Sequence, residues 1–255
     1  MVRSMYLHEF GKQNEKIIVM IHGACMAWDI FQKSVDILKR EYHVILVAVP
    51  GHDVTTKEEF TSVEQISRRI EKILIKKGYQ DIECLYGLSM GGAFVIRILA
   101  DQQLNIKNAV IDGGITPYEM SRIHTRLILA CDFLTVELGK HSRKLLGLAF
   151  PPKRYDPMYV NQMFYVMQHM TPRTIRQVFD STDNYSMPTK FPQLDTKIYY
   201  WYGADEKKAR KLDIQYMKRH IPNVEFREIA DMAHAQYSLM QPEAFVADIK
   251  QLQSE

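Results

Sequence analysis

Residues 82–100, IECLYGLSMGGAFVIRILA, decide the fold more than any other stretch of this sequence. An apolar run leads into a G-x-S-x-G turn centred on Ser89, and a second apolar run with helical spacing follows at once. A serine on such a sharp strand-to-helix turn holds its hydroxyl clear of the sheet, and Gly87 and Gly91 leave room for the turn. Glycine-rich turns also bind nucleotides, but this one has neither the G-x-G-x-x-G pattern nor a P-loop lysine. The stretch therefore predicts a buried strand, a nucleophilic serine and a helix, in that order.

Apolar runs of the same kind recur along the chain, separated by amphipathic stretches. Runs without polar alternation are typical of strands that are buried on both faces of a parallel sheet. Between them, Trp28, Phe31, Val35 and Leu38 have helical spacing, and Ser62 begins another helical stretch as its cap. The predicted strands lie at 16–21, 44–49, 82–86, 109–111, 197–202 and 224–229, with a weaker edge strand at 5–10. The alternation predicts an α/β fold with a mostly parallel central sheet and helices on both faces.

The alternation breaks between residues 114 and 195, a gap far longer than an ordinary connection. The gap contains apolar stretches of helical length that are separated by prolines, which favours a helical insertion over a loop. The insertion is also rich in methionine and aromatic residues, a composition that is more typical of packing than of a substrate wall. We therefore predict an α/β core formed by residues 1–113 and 196–255, with a helical insertion at 114–195.

Composition and charge exclude several classes of protein. The 255 residues contain 33 Lys and Arg against 30 Asp and Glu, a net charge of +3 that gives no broad footprint for nucleic acid or an acidic membrane surface. The three cysteines form no C-x-x-C pair, which disfavours a disulfide framework and a zinc site. There is no apolar run of about 18 residues and no apolar stretch typical of a secretory signal near residue 1. We expect a cytoplasmic protein with neither nucleic acid nor a membrane as its partner.

A serine nucleophile needs a base, and nine histidines compete for that role. His234 lies between the last predicted strand and the last helix, so it can reach the carboxyl edge of the sheet. The others precede strands, end a helix or lie in the insertion, except for His22 and His52, which follow strands in tight turns. We expect those two to bind the backbone of their turns, and His234 is the best candidate for the base.

The base in turn needs an acid that orients it, and three carboxylates are candidates. Asp205 and Glu206 follow the strand at 197–202, and Asp112 follows the strand at 109–111. Each of these carboxylates could instead cap the helix that follows it. The residues alone leave all three open.

A tetrahedral oxyanion needs two backbone N–H donors. One comes from the residue after the nucleophile, which is Met90, and the other from the turn after an earlier strand. That turn is predicted near residues 22–24.

Four motifs in order resemble the α/β-hydrolase superfamily over nearly the whole chain. They are the His-Gly turn MIHGACMAWDIF at 20–31, PGH at 50–52, YGLSMGG at 86–92, and AHAQYSLMQPEAF at 233–245. Each motif alone is weak, but all four in this order are highly specific.

The resemblance implies Ser89 as the nucleophile, His234 as general base and then acid, and the N–H groups of Ala24 and Met90 as the oxyanion hole. It also implies that residues 114–195 are the helical cap that such enzymes carry over the active site.

For the acid, the family's spacing points to the third residue after Gly203, which is Glu206. The family's usual residue type, aspartate, points to Asp205. We favour Glu206 slightly, and Asp112 is third.

The function implied is that of a small serine esterase that cleaves a small-molecule carboxylic ester without a metal or an organic cofactor. The same fold also serves thioesterases, lactonases, carbon–carbon hydrolases, lyases and ligand receptors that turn over slowly, and fold does not choose among them. Self-association as a homodimer is left open.

Overall fold

The computed structural model describes residues 6–253, apart from the side chain of residue 122. In this range a seven-stranded sheet forms the centre of the protein, with strand order β1-β3-β2-β4-β5-β6-β7. The strands are β1 Leu7–Phe10, β2 Ile17–Ile21, β3 His43–Val47, β4 Asp81–Leu88, β5 Asn105–Asp112, β6 Lys197–Gly203 and β7 Val224–Ile229. All neighbouring strands are parallel except β1, which pairs antiparallel with β3 at one edge. The predicted mostly parallel sheet is confirmed.

The helices follow the strands as the alternating pattern predicts. They are α1 Gln32–Leu38, α2 Val63–Lys76, α3 Met90–Asp101, α4 Arg122–Gly139, α5 Arg143–Ala149, α6 Pro157–His169, α7 Pro172–Asn184, α8 Lys211–His220, α9 Gln236–Met240 and α10 Pro242–Leu252. Helices α2 and α3 pack on each other, and α10 returns to pack on α1, as expected when right-handed crossovers place the two pairs on opposite faces of the sheet. Helices α4–α7 lie between β5 and β6, within the predicted insertion, whose role as a cap stays a prediction.

Local chemistry explains where several elements begin and end. The Ser62 hydroxyl accepts the Gln65 N–H at 3.2 Å and caps α2, as the sequence predicts. β3 ends at Val47, two residues earlier than predicted, because the Val49 N–H donates to the His22 ring instead of to a neighbouring strand. The predicted edge strand is β1, although Met5 lies outside the described residues. Helix α9, just after the last sheet strand, was not predicted.

The centre of the sheet is buried on both faces. The carboxyl ends of its central strands lie side by side at one edge. Every residue of β2 and β3 is buried. The register pairs Leu88 with Asp112, and Asp112 with Trp201. The turns that follow β4, β5 and β6 therefore meet at one edge of the sheet, where open α/β sheets bind their ligands. In the described part of the chain, no helix has the length and apolar character needed to cross a membrane.

Glycines let three backbone segments meet closely beside the turn after β4. A Cβ atom on Gly91 would lie 2.2 Å from the Ile21 carbonyl oxygen, and one on Gly87 would lie 2.3 Å from the Gly91 carbonyl oxygen. A Cβ on Gly92 would lie 2.6 Å from the Cα of Gly114. These neighbours are backbone atoms, so a side chain could be admitted only by shifting the strands themselves.

We expect Gly91→Ala to lower the free energy of unfolding by about 3 kcal/mol or more, because its methyl group would overlap the β2 backbone. The measurement is chemical denaturation followed by circular dichroism. The matched control is Gly147→Ala in α5, where a Cβ has no atom within 4 Å and the better helix former should add up to about 1 kcal/mol. Equal stability of the two variants would contradict the close packing at Gly91.

Candidate active site

Ser89 occupies the turn between β4 and α3 in a strained backbone conformation. Its φ of +53° and ψ of −115° lie where residues other than glycine are rare. Such a conformation costs about 1–3 kcal/mol and persists only when the surroundings hold it. Here the Ser89 N–H donates to the Asp112 carbonyl at 2.8 Å, and the Ser89 carbonyl accepts the Gly92 N–H at 2.9 Å. The serine is therefore fixed at the carboxyl edge of the sheet, at the N-terminus of α3.

The turn after β2 lies directly against this serine. A Cβ atom on Gly23 would lie 3.3 Å from the Ser89 Cβ, and Cys25 has a φ of +61°. Within residues 6–253, neither the Ala24 N–H nor the Met90 N–H donates a hydrogen bond. The Met90 N–H is free because it opens a helix, where the first N–H groups have no intrahelical acceptor. The two predicted oxyanion donors thus lie on adjoining turns, and neither has a hydrogen-bond acceptor in the described structure.

His22 and His52 brace these turns, as the sequence predicts. The His22 Nε2 accepts the Val49 N–H at 3.2 Å, so its Nδ1 carries the proton that it donates to the Gly23 carbonyl at 2.9 Å. The Nδ1 of His52 lies 3.3 Å from the Pro50 carbonyl. Burial lowers the pKa of His22 to about 4 and that of His52 to about 3, so both rings are neutral at physiological pH.

Glu206 and His234 form the central polar contact of the site. The His234 Nδ1 donates to a Glu206 carboxylate oxygen at 2.6 Å, which leaves Nε2 as the acceptor. The second Glu206 oxygen accepts the Gly203 N–H at 3.0 Å. Burial by itself raises the pKa of Glu206, but the hydrogen bond and charge of His234, with Gly203 and Arg210, hold that pKa below its ordinary value. The carboxylate is therefore ionised and orients the imidazole.

Ser89 and His234 are held by adjacent residues of one segment. The Ser89 N–H binds the Asp112 carbonyl, and a Cβ on the next residue, Gly113, would lie 2.9 Å from the His234 ring. The φ of Gly113 is +55°, and because glycine has no side chain, the His234 ring can lie against its backbone. Among the described residues, no hydrogen bond of 3.5 Å or less joins the Ser89 hydroxyl to His234. Bonds of this kind often tighten only when a substrate binds.

The other two predicted acids lie elsewhere. Asp205 is exposed and pairs with Arg154 of the insertion, in a 3-10 turn formed by residues 204–206. It does not cap α8, because that helix begins six residues later. Asp112 is buried and accepts the Tyr86 hydroxyl at 2.6 Å. Of the three carboxylates, only that of Glu206 has a hydrogen bond to His234 in the described structure.

Arg210 is a residue of the site that sequence reasoning missed. Its partly buried guanidinium lies 3.1 Å from Asp213 and 3.8 Å from Glu206, and it donates to the Gly113 carbonyl at 3.4 Å. It therefore touches both the carboxylate and the backbone that support His234. The signal was present, because Arg210 follows Glu206 by four residues, the spacing of a helical ion pair.

Tyr155, in the segment between α5 and α6, was also missed. Its hydroxyl donates to the His234 carbonyl at 2.7 Å. Next to it, the Arg154 carbonyl accepts from the Gln236 side chain, whose oxygen in turn accepts the Ala233 N–H. The insertion thus supports the backbone on both sides of the histidine. No local pattern in the sequence connects residues that are 79 positions apart.

Residues 6–253 contain no group of three or more His, Cys, Asp and Glu side chains that could hold a metal ion. The nearby Cys25 is buried, and burial raises the pKa of its thiol to about 12, so it carries almost no thiolate at neutral pH. What the arrangement offers is a strained serine, an oriented imidazole and two free N–H donors.

Known proteins share this arrangement of elements. The sequence profile of the alpha/beta hydrolase fold matches residues 16–239. An alpha/beta hydrolase family protein from Desulfitobacterium hafniense superposes with a TM-score of 0.76 at 20% identity, over 97% of this chain and 99% of that one. An esterase from Exiguobacterium antarcticum superposes with a TM-score of 0.76 at 16% identity, over 98% of this chain and 96% of the esterase. The enol-lactonase from Burkholderia xenovorans LB400 superposes with a TM-score of 0.76 at 14% identity, over 98% of this chain and 96% of the enol-lactonase. At these identities the structural likeness shows the fold alone.

The buried Asp112 gives the site a pH-dependent stability. Burial raises its pKa from 3.8 to about 6, so the folded state holds a proton that the unfolded state has lost, and stability falls as the pH rises through this window. The Asp112→Asn side chain has nearly the same shape as aspartate but cannot ionise. Relative to wild type, its free energy of unfolding should increase by about 2 kcal/mol between about pH 4 and pH 7.5.

The measurement is urea denaturation of both proteins across that pH range. Asp205→Asn serves as the control, because an exposed ion pair contributes less than about 1 kcal/mol and should show little pH-dependent difference. If Asp112→Asn and wild type keep a constant difference at every pH, Asp112 does not titrate as stated.

Proposed function

The chain belongs to the α/β-hydrolase family, and from this premise we propose that it hydrolyses a carboxylic ester of a small molecule through an acyl-enzyme on Ser89. The observation that carries the proposal is the 2.6 Å hydrogen bond between Glu206 and His234, beside a serine held at a positive φ. A buried ionised carboxylate that fixes an imidazole tautomer is the partner a serine nucleophile requires. The available N–H groups of Ala24 and Met90 add the donors that acyl transfer needs.

In the proposed mechanism, the Ser89 oxygen attacks the ester carbonyl while the His234 Nε2 takes the hydroxyl proton. The carbonyl oxygen becomes an oxyanion, which accepts hydrogen bonds from Ala24 and Met90. When the intermediate collapses, the ester C–O bond breaks and the imidazolium gives its proton to the leaving alcohol. A water molecule, deprotonated by His234, then attacks the acyl-enzyme, and the serine recovers its proton as the acid leaves. Glu206 stays ionised and stabilises the imidazolium in both halves.

The exposure of the site supports a small substrate. Ser89 retains 9% of its accessible surface, whereas the His234 side chain retains 32%. The imidazole is therefore the more accessible of the two groups, and we expect a carbonyl group to approach the serine from the imidazole side. On the other side, the sulfur of Met26 would be 3.3 Å from a Cβ on Gly23, so the wall next to the oxyanion turn is apolar. A slim ester with an apolar portion fits this surrounding best.

The insertion supports the same proposal through α6. The side chains of Tyr159, Met163 and Met167 are buried; α6 packs on α4 and α5 of the insertion, and the Tyr159 ring also lies 5.2 Å from the Lys33 ammonium of the core. The Gln162 side chain also donates to Asp29, in the 3-10 turn that follows the oxyanion turn. We propose that residues 114–195 act as a cap that covers Ser89.

Ser89→Ala should lower kcat/KM for p-nitrophenyl esters of short acyl chains by about 10³-fold or more, because no nucleophile remains. Release of p-nitrophenol is followed spectrophotometrically, and thermal unfolding verifies that the variant is folded. Ser186→Ala, an exposed serine that binds Glu64, should keep wild-type activity. Wild-type turnover that is no faster than that of Ser89→Ala would overturn the proposal, and tight ligand binding without turnover would favour a receptor.

Glu206→Gln should lower kcat by about 10²- to 10⁴-fold, because a neutral amide neither stabilises the imidazolium nor fixes its tautomer. Asp205→Asn, the neighbouring change at an exposed ion pair, should alter kcat less than about threefold. Both variants are assayed side by side with the same ester at neutral pH. Loss of activity in Asp205→Asn with near wild-type turnover in Glu206→Gln would assign the acid to Asp205 instead.

A further inference from the structure

Helix α4 has an outer face that is apolar. Ile123, Leu127, Leu134 and Leu138 are all between 57% and 72% exposed. Their spacings of four, seven and four residues place them in one stripe along the helix, since these intervals bring side chains to the same side. The stripe extends over four turns of α4.

This apolar stripe is not the face that α4 packs against the protein. Val136 and Thr125 are buried on the opposite side of the helix, and α4 contacts α7 and α5. A surface helix normally carries polar residues on the side that faces water. The next helix, α5, which packs on α4, also exposes two leucines, because Leu145 and Leu148 are 45% and 78% exposed. Six of the ten large apolar side chains that are exposed within residues 6–253 therefore lie on two consecutive helices.

The same two helices and the turn after them are positively charged. Residues 123–154 contain six Lys and Arg against two Asp and Glu, whereas the rest of the chain has 27 against 28. Four of the six have exposed side chains with no carboxylate within 4 Å in the described part of the chain; they are Arg126, Arg143, Lys144 and Lys153. The overall net charge of +3 thus conceals a local excess of four positive charges.

We propose that the outer face of α4 and α5, with Leu127, Leu134, Leu145 and Leu148 at its centre, docks onto the surface of an anionic phospholipid bilayer. An interfacial helix combines an apolar face that enters the headgroup region with Lys and Arg that bind the lipid phosphates. Both parts are present here on consecutive helices. The protein would lie on such a surface without crossing it.

Charge decides between a lipid surface and a second copy of this chain. A symmetric dimer through the same face would bring each copy's basic residues towards those of its partner. Arg126 and Lys144 would then approach like charges, because no acidic side chain is exposed on α4 or α5; Asp132 and Glu137 are half-buried. An anionic surface satisfies the apolar and the basic side chains together.

The test is sedimentation of the full chain with vesicles of equal parts phosphatidylglycerol and phosphatidylcholine, compared with vesicles of phosphatidylcholine alone. The protein should bind the anionic vesicles, and binding should weaken as the salt concentration rises. This binding assay does not depend on ester hydrolysis. Membrane docking can therefore be refuted while the proposed function holds, and the proposed function can be refuted while docking holds.

Leu127→Gln combined with Leu134→Gln should lower binding to the anionic vesicles by about tenfold or more, because two exposed apolar anchors are lost. Leu212→Gln is the control, since Leu212 is an exposed leucine on α8, outside the proposed surface. Arg143→Gln with Lys144→Gln should also weaken binding by about tenfold. Its control is Lys72→Gln with Lys76→Gln, two exposed lysines on α2. Because all seven positions are exposed, every variant should fold, and thermal unfolding verifies it.

Three results would overturn the proposal. One is the lack of binding to anionic vesicles by the wild type. Another is equal binding by the wild type and the Leu127/Leu134 variant. The third is a concentration-dependent dimer, measured by sedimentation velocity, that the same variant abolishes, because the stripe would then belong to a second copy.

Discussion

The site rests on three backbone segments that approach one another more closely than any side chain would permit. β2, the start of α3 and the segment after β5 meet at Gly91 and Gly92, with backbone atoms where a Cβ would have to lie. These contacts hold the turn at Ser89, and they also hold β4 between its neighbours. Since only backbone atoms are involved, repacking of side chains cannot replace them. The close approach of these backbone segments therefore helps to fix the position of the serine.

Much of the core could be predicted because its signals are local. The apolar runs that become β2, β4 and β6 are continuous, and the Ser62 cap and the turn at Ser89 each lie within a few residues. The choice between Asp205 and Glu206 could not be made in the same way. In a 3-10 turn, successive side chains point about 120° apart, so one residue decides whether a carboxylate faces solvent or the imidazole. The spacing argument for Glu206 came from the family resemblance, which places the acid three residues after Gly203, and not from the residues themselves.

Other parts of the site depend on contacts that no local pattern encodes. Tyr155 reaches the His234 carbonyl across 79 residues, and Asp112 binds Tyr86 on the neighbouring strand. The net charge of the whole chain also hides a local feature. A net charge of +3 spread over 255 residues suggests an even surface, whereas the positive charge is concentrated in 123–154. Totals over a chain average out the local features that a partner would contact.

The hydrogen bond from Tyr155 to the His234 carbonyl has a consequence for how the protein would handle bulky molecules. The imidazole is oriented by Glu206 on its ring side and by the insertion on its backbone side. If a large ligand displaced the insertion from the sheet, the hydrogen bond from Tyr155 would break and the His234 imidazole would lose its alignment. In the proposed mechanism, such a molecule would misalign His234 as it bound, and it would therefore stay bound without being hydrolysed.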